Sequence, residues 1–241
     1  MSTTPGTGRA VLVMSPATSD PLRGAGTSAE WITPEIRNLI LSAVIRPGER
    51  INVKSLEKRF GVSHIPIREA LRQLEAEGLV TLVPQRGAIA ARVSAEELDD
   101  VYDLRRIIEP TVAARSAERA TTEQRAAVSA TLQRLEEVER AGEGQFFQTH
   151  WDFHWALLAP GATDEIERVI NHLWRTSERY IRLTRGAAVD EAHQQHELMA
   201  KALMDGDGGS LAVLLSSHLT LTGDALSALF AERRAEYVGI N

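Results

Sequence analysis

The amino-acid sequence predicts a mainly α protein: a small module of three helices closed by a hairpin, followed by an all-helical antiparallel bundle. Three observations carry this. Apolar residues recur at helical spacing along most of the chain, and strand-like runs replace that pattern only between residues 79 and 93. Ala, Leu, Glu and Arg abound while aromatics make up 5% of the 241 residues, a mix that favours helices over sheets. The charge is also divided: residues 31–93 carry ten Lys/Arg against six Asp/Glu, and residues 94–241 carry fifteen against twenty-five. A basic module joined to an acidic one is the pattern of a nucleic-acid reader attached to a second function.

Residues 1–28 are rich in Ser, Thr, Gly and Pro without an apolar period, and are expected to be a disordered tail. Ile32, Ile36, Leu39, Ile40 and Ala43 then mark a helix that must stop before the turn signal Pro47-Gly48. A second helix spans about Val53 to Phe60 and ends at Gly61. Ser63 is placed to cap a third, which buries Ile67, Ala70, Leu71 and Leu74 and stops at Gly78. Leu79–Val83 and Ala88–Val93 read as strands around the turn Pro84-Gln85-Arg86-Gly87. Helix, helix, turn, helix, hairpin is the winged helix-turn-helix layout, here expected over residues 29–93. Ser94 with Glu97 makes a capping box that opens a second domain, 94–241. Helices are expected there over about 94–119, 122–141, 143–158, 163–184, 190–205 and 209–235, punctuated by Gly142, Gly144, Pro160-Gly161, Gly186 and Gly206-Asp207-Gly208-Gly209.

The sequence has no cysteine, which excludes disulfides, thiolate metal sites and cysteine nucleophiles. No apolar run approaches the ~20 residues of a membrane span, and Val11–Met14 is too short for a signal sequence. A cytoplasmic protein without a membrane partner is expected.

The third helix carries His64, Arg68 and Arg72 at i, i+4 and i+8, opposite its buried stripe. In a helix-turn-helix the corresponding turns enter the major groove, where Arg bonds guanine bidentately and shorter polar groups such as Ser63 hold phosphate. Lys54 could reach the backbone from the preceding helix, and Arg86 with Gly87 would form the wing tip.

Four of the seven histidines form a second pattern. His150 and His154 share one helix face. His196 and His218 each stand eleven residues from Asp207, so folding the chain back at that turn brings them level. Four imidazoles from three helices can thus converge inside the bundle, and imidazole suits Zn, Ni, Cu or Fe. His172 and His193 have no such place; His193 reads as a surface residue.

The run Arg46-Pro47-Gly48-Glu49-Arg50, Leu56, Gly61-Val62-Ser63, Pro66, Arg68-Glu69-Ala70-Leu71, Leu74, Gly78-Leu79-Val80 and Gly87 closely resembles the N-terminal domain of GntR-family bacterial regulators. The helical remainder resembles the FadR-type (FCD) effector domain of one branch of that family. The resemblance implies a homodimeric, ligand-responsive transcriptional regulator, acting as a repressor on a palindromic double-stranded operator. It implies a divalent metal at His154, His196 and His218, with His150 where the family has Asp. It also implies an effector-facing arginine at Arg105, which fits a small organic acid bidentately; Glu109, four residues on, is its alternative partner. Two departures stand out. His64 replaces the family's Arg, so the operator of Arg-bearing relatives does not transfer. His150 replaces a carboxylate, which leaves the metal more positive and favours Zn or Ni over Mn. The competing class is a metal-dependent hydrolase with a DNA-binding appendage, but no carboxylate stands beside the histidines as a general base.

Overall fold

The computed structural model describes residues 28–85, 87–141, 146–184 and 189–232. Arg86, most of the expected tail and the side chain of His193 lie outside the described residues. The element order is α1 (Ser28–Leu41), β1 (Arg50–Ile51), α2 (Val53–Phe60), α3 (His64–Ala76), β2 (Val80–Val83), β3 (Gly87–Ala90), α4 (Ala95–Arg119), α5 (Thr122–Ala141), α6 (Phe146–Leu158), a 3₁₀ turn (Ala159–Gly161), α7 (Asp164–Leu183), α8 (Val189–Asp205) and α9 (Gly208–Glu232).

The N-terminal module is the expected three helices and hairpin, with one addition. Arg50 and Ile51 form a short strand on the outer edge of β3, pairing with Ile89 and Ala88, so the sheet runs β1-β3-β2. Two residues are too short a run for period-2 patterning to reveal. The first helix ends at Leu41 because Ala43 adopts a left-handed conformation, φ 55°. Asn52 caps α2 by accepting from the Ser55 amide at 3.1 Å, and Gly61 closes it at φ 66°, where a Cβ would be strained. Ile32, Ile36, Ile67, Leu71 and Leu74 centre the core of this module.

Ser63 occupies the N-cap position of α3 but its side chain makes no capping bond. Its expected role as a cap is therefore corrected. Pro66 is the third helical residue and has no N–H to offer the serine hydroxyl.

The helical domain keeps its own core around Leu98, Tyr102, Val112, Phe153, Leu157, Leu203 and Leu215. Its axis is the antiparallel pair α4 and α9, drawn close where Gly223 faces Tyr102; a Cβ there would lie 2.9 Å from the ring. The end of α6 is pinned to α4 in the same way. A Cβ at Gly161 would meet the Val112 carbonyl at 2.3 Å, and the Ser116 hydroxyl donates to Leu158 O and accepts from Gly161 N, each at 2.9 Å. That anchor fixes the register of α6, and with it the depth of its histidines.

By length and apolar composition alone α9 could cross a membrane, a possibility the sequence reading missed. Its inward face, Leu211, Leu215, His218, Leu219, Leu226 and Phe230, is core.

The capping box at Ser94 is half formed. Ser94 Oγ accepts from the Glu97 amide at 3.0 Å, but Glu97 does not reach back. Its carboxylate turns to Arg179, 2.6 Å away, and to the Tyr180 hydroxyl. Tyr180 takes over the other arm: its oxygen accepts from Ser94 N at 3.0 Å while its one proton goes to Glu97, and Ser94 O lies 3.0 Å from the same oxygen. Further ties from α7 reach the N-terminal module, with Arg179 donating to Gly78 O at 3.4 Å and Arg175 lying 3.6 Å from Glu77. Glu77, just past the end of α3, is also forked by Arg37 at 2.6 and 2.9 Å.

Candidate metal centre and nucleic-acid interface

The bundle brings all four expected histidines together. His150 and His154 lie one turn apart on α6, His196 comes from α8 and His218 from α9, and one ligating atom from each falls within 4.8 Å of the others. His150 Nε2 lies 3.1 Å from His154 Nε2 and 3.3 Å from His196 Nε2. The turn at Gly206-Asp207 sets α8 and α9 side by side, and the His196 and His218 rings are 5.0 Å apart.

Burial decides the charge of this cluster. His154, His196 and His218 are at most 3% exposed, and His150, at 9%, is the most open. Loss of water, together with the positive charges of neighbouring His218 and Arg105, pushes His150 down to about 3. His218 falls to about 4, again through burial and then Arg105, and His154 falls well below its ordinary value. All three are neutral at pH 7, the form that ligates metal.

The donor set fits a divalent ion. A ring nitrogen of a neutral imidazole holds either one proton or one lone pair, so His150 Nε2 can make a full hydrogen bond to one of its two close nitrogens and not to both. His154 Nδ1 is buried with no hydrogen-bond partner. A cation among these lone pairs removes the conflict. His218 Nδ1 lies 2.8 Å from Gln195 Oε1, which fixes the ring with Nε2 free for the cluster. Gln195 was not foreseen, because nothing in its spacing separates it from an ordinary surface glutamine.

Arg105 lies beside the histidines but is enclosed. It is 2% exposed, donates to Glu109 at 2.6 and 3.4 Å and to Ser177 at 3.3 Å, and its guanidinium stacks on Tyr102 and Trp174. Its alternative partner, Glu109, therefore holds it. Trp174, also unforeseen, packs 5.3 Å from both His150 and His154. On its other side it lines a cavity of about 510 Å³ between the two domains, with Arg37, Glu77, Phe147, Trp151 and Arg175.

In the N-terminal module, His64, Arg68, Arg72 and Gly87 share a groove of about 380 Å³ between α3 and the hairpin. Ser63, Lys54, Arg68 and Arg72 are exposed, with Lys54 on the first turn of α2, outside that groove. His64 Nδ1 lies 2.9 Å from Glu57 Oε1 of α2, and Arg72 is 3.6 Å from Glu69. Gly87 has φ 86° and so can turn where other residues strain. His172 is exposed on α7 near Gly78, away from the cluster.

A winged helix-turn-helix carried by a helical domain with a buried histidine cluster defines a class, the DNA-binding transcriptional regulators. Residues 29–89 match the family described as bacterial regulatory proteins, gntR family, and residues 100–221 match the FCD domain. The chain belongs to the FCD branch of the GntR family of bacterial transcriptional regulators, whose members bind DNA and act as dimers. It is 29% identical over 195 residues to the HTH-type transcriptional repressor GlaR of Escherichia coli (strain K12), spanning 76% of this chain and 89% of that one. It is also 29% identical over 184 residues to the Nta operon transcriptional regulator of Aminobacter aminovorans, spanning 75% and 86%. Among solved structures, the fold matches a GntR transcriptional regulator from Rhodococcus sp. RHA1 with a TM-score of 0.69 at 20% identity, covering 84% of this chain and 97% of that one. E. coli McbR/YncC matches with a TM-score of 0.70 at 18% identity, covering 86% and 99%. Family and relatives are regulators, so the chain is not an enzyme and the hydrolase alternative falls.

Proposed function

We propose that this regulator is a cytoplasmic, homodimeric repressor whose hold on a palindromic operator is set by a small organic acid at a metal-containing pocket. The observation that carries the reading is the convergence of four buried imidazoles beside Arg105. His150, His154, His196 and His218 would hold the ion, with Zn or Ni favoured because every donor is imidazole. Bound there, the ion would supply an undiminished double positive charge for a carboxylate. Arg105 is already neutralised by Glu109, so its part is orientation: it can exchange its long bond to Ser177 for one to the acid.

The residues that would carry the signal are on α7. Trp174 and Ser177 touch the cluster and Arg105, while Arg175, Arg179 and Tyr180 grip the N-terminal module and the link to it. A shift of α7 caused by the acid would change the setting of the DNA-binding heads. Ser63 at the N-cap of α3 and His64, Arg68 and Arg72 on that helix, with Gly87 and Arg86 at the wing, are assigned to the operator, and Lys54 to the phosphate backbone. The domains are taken as residues 29–93 and 94–241, after a tail over 1–28.

A panel of two- to six-carbon organic acids, titrated against zinc-loaded and chelator-stripped protein bound to its operator, tests the reading. At least one acid should release DNA from the loaded protein and none from the stripped protein. Release by the same acid regardless of metal would contradict it.

A further inference from the structure

The outer face of α3 holds one residue that neither the core nor the polar groove accounts for. At 100° per residue, Ile67, Ala70, Leu71 and Leu74 point to the core, and Ile65 points almost directly away from it, about 20° round the helix from Arg72 and 60° from Arg68. It is 78% exposed, the most open large apolar side chain among the described residues. A β-branched residue there also lowers helix propensity. Its neighbour His64 is drawn back against Glu57 of α2, 2.9 Å away, which leaves Ile65 at the front of the first turn.

We propose that Ile65 reads the 5-methyl group of a thymine in the operator. The inference rests on α3 being the helix that enters the major groove. That groove offers donors and acceptors on every base pair, but thymine's methyl is its one apolar group. A side chain that cannot hydrogen-bond gains nothing from guanine, adenine or cytosine edges, and it buries its surface against that methyl. Three residues of helix advance about 4.5 Å, against about 3.4 Å per base step. The thymine therefore lies one to two base pairs from the base that Arg68 contacts. Ile65 and Arg68 together read a short two-letter block in each half-site, one letter by shape and apolar contact and one by hydrogen bonds.

The preferred operator is first selected from random duplex DNA with the full-length protein. Each thymine in one half-site is then replaced by deoxyuridine, which removes only the methyl. One replacement should weaken wild-type binding roughly fourfold, the worth of one buried methyl-sized group. The same replacement should leave Ile65→Ala unaffected and Ile65→Val still sensitive. Both variants alter an exposed side chain, and circular dichroism verifies that they fold. If no thymine responds, or if Ile65→Ala loses as much as wild type, the proposal is overturned. Arg68→Ala separates the two levels. If it weakens binding while no thymine responds, the Ile65 assignment alone falls; if it binds like wild type, α3 is not the reading helix and both fall.

Discussion

The Tyr180 oxygen accepts from the Ser94 amide at 3.0 Å and gives its one proton to the Glu97 carboxylate, with the Ser94 carbonyl also 3.0 Å away. The hydroxyl joins α7 to the cap of α4, just beyond the hairpin. Burial and the Glu97 carboxylate raise its pKa, so it keeps its proton at every working pH.

Tyr180→Phe removes that oxygen and leaves the Ser94 amide without its partner. The loss should be about 0.5–1.5 kcal/mol of stability, the usual net worth of one hydrogen bond, because Ser94 is exposed and the bond only part-buried. Urea denaturation of the two proteins measures it. A change within about 0.3 kcal/mol would show that water substitutes for the phenol.

The histidine cluster predicts a pH dependence with a definite sign. In the unfolded chain each histidine takes a proton near pH 6.5. In the metal-free folded chain His218 refuses it until about 4 and His150 until about 3. Their folded values are depressed, so their contribution is fully present above about pH 6.5. It is lost as pH falls from there towards 4 and then 3, at up to about 1.4 kcal/mol per pH unit for each histidine. Thermal melts of chelator-treated protein between pH 7.5 and 4.5 should show the fall, and His150→Asn should make it shallower. A stability flat across that range would mean that water reaches the imidazoles.

Because these histidines are neutral at pH 7, loading zinc should release few protons. Calorimetric enthalpies in two buffers of different ionisation heat should nearly agree. A release approaching one proton per ligand would place the imidazoles in the charged form and contradict the burial argument.

For DNA, Arg68→Ala should cost roughly 1–3 kcal/mol on the selected operator and little on random duplex. Lys54→Ala should weaken both and reduce the salt dependence of binding. Filter binding at several salt concentrations distinguishes the two; identical effects would remove the division between base and phosphate contacts.

The helices and the histidine cluster were legible because both follow from periodicity. His150 and His154 declare a shared face by their spacing, and the Gly206-Asp207 turn makes His196 and His218 level. What escaped depends on contacts between distant segments. Trp174 looks like any core aromatic until α6 lies beside it, and Tyr180 replaces one arm of a capping box that local sequence assigns to Glu97. Ser63 misled for a local reason, the missing amide of Pro66. Strand β1 exists because β3 offers it an edge, not because Arg50-Ile51 favours extension.

The histidine site is tested most directly by the metal content of purified protein reconstituted with zinc, beside His154→Ala and His150→Asp. Wild type should hold about one ion per chain, His154→Ala should retain none, and His150→Asp should retain its ion with weaker binding of organic acids, since the new carboxylate cancels part of the charge. No ion in wild type, or one held equally well after His154→Ala, would mean that the four histidines are core residues and would contradict the metal assignment.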